Sequence, residues 1–465
     1  MSTSAPIEYQ GVSSIRGPLV VVDGVRDVGW DEVVQIRLAT GETRHGVVLD
    51  VSRELAVVEV YEGTAGLTRT ETRVAFAGAP MQVAVGDAWL GRVCNGRGEP
   101  VDGGPPIVGG TRRAVAGSPI NPAARATPRD PITTGISAVD GLATLVRGQK
   151  LPIFSVGGLP HLELAAQIAS QAAAGDEPFA VVFAAMGITH ADAAMVVDRL
   201  ERRATAGDLT LLVNTADDPI VERILTPRIA LTVAEELAFA GDRHVLVVMA
   251  DMTSYCEAVR EVAAARGETP SRRGYPGYLY SDLASIYERA GRIHGRAGSV
   301  TQIPVLTMPA GDITHPVPDL TGYITEGQLV LSQDRHVRGV YPPFEPLQSL
   351  SRLMRLGAGE GRTRADHLEI AAEVYALAAE ARRAADLADL VGEDALTTLD
   401  RAYLRFGGLL DAELIAQGDA ETRTLDRTLD LAWHAVSSLP RSALSLPDSL
   451  LDRHYETDAA ADTTG

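Results

Sequence analysis

"LPIFSVGGLPHLELAAQIASQAA", residues 151–173, joins an apolar run to a helix rich in small residues through two consecutive glycines. This is the layout of a phosphate-binding loop, where a buried strand turns sharply and presents backbone N–H groups at a helix start. A working loop reads G-x-x-x-x-G-K-[ST]. Laid over this stretch, the first glycine is Ser155, the second is Pro160, the lysine is His161 and the Mg²⁺-holding hydroxyl is Leu162. Gly157 and Gly158 allow the turn, and a helix beginning near His161 offers free N–H groups to an anion. Pro160 removes one donor, His161 is shorter than lysine and mostly neutral at pH 7, and Leu162 cannot hold a cation. Lys150 is the only lysine among 42 basic residues. It precedes the strand by about five residues, roughly 16 Å from the loop. The frame of a nucleotide site is present without its chemistry.

Working outward, short apolar runs alternate with helical stretches: "LPIFSV", "FAVVFAAMG", "LTLLVNTADD", "HVLVVMADM" and "IPVLTMP". They lack a polar alternation, as parallel strands covered on both faces do. This predicts an α/β domain over residues 76–356 whose ligands gather at the carboxyl ends of its strands. Upstream, residues 1–75 contain "GPLVVVDGV", "EVVQIRLATGE", "GVVLDVS" and "LAVVEVYEGTAGL", punctuated by Gly41, Gly46, Gly63 and Gly66. Short strands at turn-signal spacing predict a small β-barrel. Residues 357–455 read as a helical bundle, with Leu368, Ala372, Tyr375 and Ala379 at helical spacing. The tail 456–465 has the composition of a disordered segment.

The composition bounds the function. A net charge of −19 argues against a non-specific nucleic-acid binder. No apolar run approaches the ~20 residues of a membrane span, and "MSTSAPIEYQGV" carries no secretory pattern. Cys94 and Cys256 lie far apart, form no metal-ligand cluster and fit a reducing compartment.

Three further stretches bear on chemistry. "HVLVVMADMTSY" ends an apolar strand in Asp251, the arrangement of an Mg²⁺-organising Walker B aspartate. Strand-end aspartates also cap the following helix. "FAAMGITHAD" turns through Gly187, Ile188 and Thr189, with no carboxylate where a hydrolysing relative of the fold places the glutamate that polarises water. "GVYPPFEPLQSLSRLM" sets Tyr341 beside two prolines and Arg352 after a serine-rich turn. An arginine at a domain edge is either a solvated charge or an arginine finger offered to a neighbour's γ-phosphate.

With these residues in view, the chain closely resembles the B (beta, non-catalytic) subunits of V-type and archaeal A-type rotary ATPases. The resemblance runs from about residue 8 to 455. It is carried by blocks such as "PITTGISAVDGLATLVRGQKLPIFS", "ADDPIVERILTPRIALTVAEELAF", "RRGYPGYLYSDLASIYERAGRI", "THPVPDLTGYITEGQ" and "LVGEDALTTLDRAYLRF". It implies a β-barrel, a RecA-like P-loop NTPase-type domain with a degenerate loop, and a helical bundle. It implies an alternating ring of three A and three B chains around a central shaft, braced by peripheral stalk subunits. Such a chain sits on the cytoplasmic face of a membrane that it touches only through other subunits. The A chain holds ATP or ADP with Mg²⁺ at the A–B interface; this chain alone is expected to hold no nucleotide tightly and to bind no nucleic acid.

The same resemblance implies that Arg352 is the finger in trans. Gly157, Gly158, His161, Asp251 and Tyr341 are the remnants of a weak nucleotide site, with Tyr341 at a position where related catalytic chains stack an aromatic on adenine. Packing is the alternative for Tyr341. Arg272 and Arg273 are expected at interfaces, and Asp319 and Glu326 in capping or interface roles. Two rivals remain: a self-sufficient motor of the same fold, for secretion or RNA translocation, and a stand-alone structural relative that has left the rotary machine.

Overall fold

The computed structural model describes residues 8–455. The expected disordered tail, 456–465, lies outside the described residues, as do residues 1–7 of the barrel segment. The amino-terminal strands, from Glu8–Gln10 to Arg73–Pro80, form one seven-stranded sheet with every pairing antiparallel. Its inward residues, among them Val20, Val22, Val34, Ile36, Val58 and Val74, are fully buried in a core of their own. Each such side chain contributes about 1.5–3 kcal/mol on leaving water. The strand Thr43–Ser52 approaches its neighbour closely at Gly46, where a Cβ would stand 2.3 Å from the Glu59 carbonyl oxygen. The last strand, Arg73–Pro80, crosses the boundary that the sequence pattern put at 75/76.

The central sheet carries seven parallel strands: β1 (Val93–Asn95), β2 (Ile153–Ser155), β3 (Phe179–Ile188), β4 (Leu209–Thr215), β5 (His244–Ala250), β6 (Ser299–Thr307) and β7 (Gly327–Val330). Their spatial order is β7-β2-β6-β5-β3-β4-β1. The short strand Leu350–Ser351 pairs antiparallel with β7 and forms the sheet's edge. The longer helices are α1 (His161–Gln171), α2 (His190–Ala206), α3 (Ile220–Phe239), α4 (Met252–Ala265), α5 (Leu279–Tyr287) and α6 (Pro316–Ile324).

The absence of polar alternation in the strands now has its cause. In β3, Val181, Phe183 and Ala185 face one core with α1, α2 and the carboxyl-terminal helices, while Val182, Ala184 and Met186 face a second core with α3, α4 and α5. Both faces exclude water, so neither selects polar residues.

The carboxyl-terminal region consists of helices α7 (His367–Val391), α8 (Thr398–Leu409) and α9 (Leu425–Val436), with shorter turns. The helical period expected around Leu368, Ala372, Tyr375 and Ala379 is present, but those residues are not the buried stripe: Ala372 and Ala379 are exposed. The core face of α7 is Ile370, Val374, Leu377, Ala378, Ala381 and Ala384. Alanine abounds on every face of this helix, so position alone is ambiguous; the branched residues Ile370, Val374 and Leu377 mark the core side. The bundle is tied to the sheet domain by the Tyr375 hydroxyl, which donates to the Leu142 carbonyl at 2.8 Å, and by a His367 ring contact with the Gly141 carbonyl at 3.0 Å.

Candidate functional site

The turn after β2 and the turns after β3 and β5 meet at the carboxyl end of the sheet, around a cleft of about 430 Å³. Gly158, His161 and Asp251 line it together. Gly157 stands in the same turn but outside the lining, and Tyr341, from a later segment, does not line the cleft either. The Tyr341 hydroxyl instead donates to Gln167 Oε1 on α1 at 2.8 Å, and its carbonyl accepts from Gln417 N–H at 2.6 Å. Burial pushes the Tyr341 phenol up to about 12.

The loop keeps a shape. Gly158 adopts φ 88°, a conformation a side chain resists, with Pro160 in the N-cap position of α1 and no side chain capping the first turn. His161, in the lysine's place, turns back on its own loop: its Nδ1 lies 2.8 Å from the Leu159 carbonyl oxygen and 3.3 Å from Ser155 Oγ. A carbonyl only accepts, so Nδ1 is the donor in that contact. Leu162, in the hydroxyl's place, is 7 % exposed and belongs to the core with Leu159. Of the two positions that would touch phosphate and Mg²⁺, His161 is bonded back to its own loop and Leu162 has become packing.

Asp251 closes the cleft from β5. Its Oδ1 accepts from Thr253 N–H at 2.7 Å as the N-cap of α4, and its Oδ2 accepts from Thr307 Oγ1 at 2.6 Å. Burial pushes this carboxyl above the ordinary aspartate range, against the pull of those hydrogen bonds and of His161. Both of its oxygens are engaged by the protein.

The turn after β3 holds what the sequence reading missed. Gly187 has φ 67°, and a Cβ placed there would stand 2.8 Å from Arg223 Nε. Arg223 in turn donates to Asn214 Oδ1 at 2.9 Å and to the Thr215 carbonyl at 3.1 Å. A side chain at Gly187 would have to displace Arg223 and adopt a backbone conformation that side chains resist. Glu163 and Asp192 also line the cleft, Asp192 in a reciprocal capping box with Thr189, while no lysine or arginine does. Glu163, Asp192 and Asp251 on one lining, with no guanidinium or ammonium among the lining residues, oppose a polyphosphate. The Glu163 signal was available in the sequence, one residue past the hydroxyl position; the approach of Arg223, 36 residues after Gly187, was not. The residues of this cleft do not fit a Mg²⁺–nucleotide.

Arg352 lies elsewhere. Its backbone N–H donates to the Glu326 carbonyl at 3.0 Å, and Glu326 N–H donates to the Lys150 carbonyl at 3.1 Å. Arg352 therefore leaves the sheet edge at the level of Lys150, about five residues and roughly 16 Å along the strand direction from Ser155. Its side chain is exposed, and its one hydrogen bond within the described residues is a long one, Nη1 to the Thr325 carbonyl at 3.4 Å. Lys150 itself is buried between Glu288 and Glu326, with Nζ 2.9 Å from a carboxylate oxygen of each. Asp319 pairs with Arg272 at 3.1 Å, and Asp312 with Arg273 at 2.7 Å. Asp319 and Glu326 are thus each paired with a cation. Among the described residues, no helix is long and apolar enough to cross a membrane.

The chain matches three family descriptions in order. Residues 12–78 match the β-barrel domain of the ATP synthase alpha/beta family, residues 135–351 its nucleotide-binding domain, and residues 356–455 the C-terminal domain of V and A type ATP synthase. It is 54% identical over 451 residues to a V-type ATP synthase beta chain of Halothermothrix orenii, covering 96% of this chain and 97% of the relative. It is 54% identical over 439 residues to the B subunit of the A-type ATP synthase of Aeropyrum pernix, covering 94% and 95%. A solved structure described as a unique ATP synthase subunit NeqB from Nanoarcheaum equitans superposes with a TM-score of 0.72 at 39% identity, over 91% of this chain and 100% of that one.

Proposed function

Since the chain belongs to the ATP synthase alpha/beta family, among the B subunits of V-type and A-type ATP synthases, we propose that it is the non-catalytic, regulatory member of the nucleotide-handling ring. It completes a neighbouring catalytic A subunit's site with Arg352. ATP or ADP with Mg²⁺ is held at that interface by the A chain, and this chain's own cleft turns over no nucleotide. The ring alternates the two chains around a central shaft with peripheral stalks, and meets the membrane through other subunits.

One observation carries the reading. Arg352 stands exposed at the edge of the sheet, at the end away from the loop after Ser155. A separation of roughly 16 Å along the strands exceeds the reach of an arginine side chain, so the only phosphoryl group it can meet belongs to another chain. Leu347 and Leu350, 45 % and 52 % exposed, lie just before it in sequence. Exposed leucines around an uncommitted guanidinium suit a surface that another subunit covers. In that setting the guanidinium stabilises charge developing on the transferred phosphoryl oxygens, with no covalent part in the step.

The test uses the chain with and without a loop-intact partner. The purified chain alone gives no Mg²⁺-dependent ATP turnover above background. Co-expression with an A chain carrying an intact phosphate loop gives a complex that turns over ATP. Sustained turnover by the chain alone, co-eluting with it through successive columns, overturns the proposal in favour of the self-sufficient motor. Failure to associate with any A chain leaves the stand-alone structural relative.

A further inference from the structure

Arg352 follows an edge strand of only two residues, Leu350–Ser351, paired with Gln328 and Gly327 at the start of β7. So short a ladder holds few backbone bonds, and the place where the Arg352 side chain begins depends on what else grips the strand. Ahead of it, the Ser349 hydroxyl accepts from Val330 N–H at 2.9 Å. Its far end, next to Arg352, is gripped from another part of the chain. The segment "VRGQK", residues 146–150, closes a turn in which Gln149 N–H donates to the Val146 carbonyl at 3.0 Å. Gln149 is fully buried. Its Oε1 accepts from Val146 N–H at 2.9 Å, which fixes the orientation of the amide. Its Nε2 then donates twice, to Ser351 Oγ at 2.9 Å and to the Glu326 carbonyl at 3.1 Å. Ser351 Oγ in turn donates to the Thr144 carbonyl at 3.0 Å. The Glu326 carbonyl is the one that also accepts from Arg352 N–H at 3.0 Å.

Resting on the reading of Arg352 as the finger, we infer that Gln149 is its positioning residue. One buried amide holds both the residue before the arginine and the carbonyl that receives the arginine's own N–H, and so sets where the guanidinium starts. Gln149 meets no nucleotide and acts through Arg352. The arginine relies on this grip because its side chain makes only the 3.4 Å contact with the Thr325 carbonyl among the described residues. Lys150, the next residue, does a different job: its N–H and Nζ reach the Glu326 carboxylate, at 2.8 and 2.9 Å, and not the edge strand. In a positioned reaction a misplacement of about 1 Å costs on the order of 10²-fold, against about 10³–10⁵ for a whole finger. Loosening the origin of Arg352 therefore removes part of what the finger contributes and never more than all of it.

The experiment is a double-mutant cycle on rate. Complexes reassembled with a loop-intact A chain carry Gln149→Met, Arg352→Ala or both, and hydrolysis of radiolabelled ATP gives kcat and KM down to slow rates. Gln149→Met keeps the length of the side chain and removes the amide. It lowers kcat by roughly 10–100-fold with KM within about twofold, the signature of an interaction made only in the transition state. In the Arg352→Ala background the same substitution changes kcat by less than about twofold, because nothing is left to position. Ser351→Ala removes one of the two bonds and leaves the hold on Glu326; it lowers kcat about three- to tenfold, as one hydrogen bond would, and is likewise silent without Arg352. Should Gln149→Met fail to assemble, the Ser351→Ala cycle decides alone, a loss under about threefold counting against the inference. Equal fold-losses with and without Arg352 mark Gln149 as merely structural and overturn the inference, as does a Gln149→Met loss that is below about tenfold or is carried by KM. An Arg352→Ala complex within about tenfold of wild type overturns the finger itself, and the positioning role with it. The two failures are thus read from different variants.

Discussion

Replacing Arg352 with alanine separates catalysis from folding, because the side chain does so little for this chain's own structure. The backbone N–H that reaches the Glu326 carbonyl survives in alanine. What is lost is an exposed side chain and a 3.4 Å contact with the Thr325 carbonyl, near the limit of a hydrogen bond. A surface change of this kind moves stability by no more than about 0.5 kcal/mol, which for a chain of this size is about 1 °C or less in Tm. An arginine finger is worth about 10³–10⁵ in rate, or about 4–7 kcal/mol at about 1.4 kcal/mol per decade. The two readouts thus differ by roughly an order of magnitude in free energy. The assay is steady-state ATP hydrolysis by the complex reassembled with Arg352→Ala, alongside the Tm of the isolated variant and the nucleotide affinity of the complex. Arg352→Lys keeps the charge and loses the planar fork, so it recovers only part of the rate, remaining roughly tenfold or more below wild type. A normally assembled Arg352→Ala complex with a rate within about tenfold of wild type refutes the finger. So does a Tm drop of about 5 °C or more in the isolated chain, which would make Arg352 structural.

Burial raises Glu59 from 4.5 to about 7, with Arg266 opposing and Glu261 assisting. Its folded pKa lies above its unfolded one, so the folded chain holds the extra proton between those values, and stability falls as pH rises from about 4.5 through about 7. Glu59→Gln therefore stabilises the chain at pH 8 by on the order of 2–3 kcal/mol and has little effect at pH 4.5; equal gains in urea unfolding at both pH values contradict this. Restoring the loop with Ser155→Gly, Pro160→Gly, His161→Lys and Leu162→Thr yields no ATP turnover in the isolated chain, because the turn at Gly187 still supplies no water-polarising carboxylate; a measurable Mg²⁺-dependent rate refutes that account. Lys150→Met leaves Glu288 and Glu326 facing each other without their shared cation and destabilises the chain by about 2–4 kcal/mol. Adding Glu326→Gln recovers part of the loss, and strictly additive effects in the double mutant argue against the pairing.

The three-part fold was legible because each part has its own periodicity: turn-punctuated valine strands, unalternating apolar strands, then helical repeats. The altered loop was legible because Ser155, Pro160, His161 and Leu162 fall on fixed motif offsets. Less visible was anything decided by contacts across long sequence separations. The stripe of α7 was hidden by alanine on every face. The approach to Gly187 comes from Arg223 on α3, held by Asn214 on β4. Tyr341 could be placed beside two prolines by sequence, but not against Gln167 on α1. The position of Arg352 opposite Lys150 depends on strand register, which no local pattern records.

That register also explains why a nucleotide-binding frame outlasts its chemistry. A parallel sheet gathers its loops at the carboxyl ends of the strands, and the cleft between β2, β3 and β5 lies there. Arg352 leaves from the edge strand near the opposite end, held by Glu326 beside Lys150. The two places share the sheet but no side chains. Selection acting on the edge can hold the sheet, its helices and the turn at Gly158 in place while the cleft is free to change. The changes found there are those that keep the turn intact: Leu159 and Leu162 are buried in the core beneath α1, and His161 folds back on the Leu159 carbonyl. The substitutions at Ser155, Pro160, His161 and Leu162 therefore read as a loop rebuilt for packing.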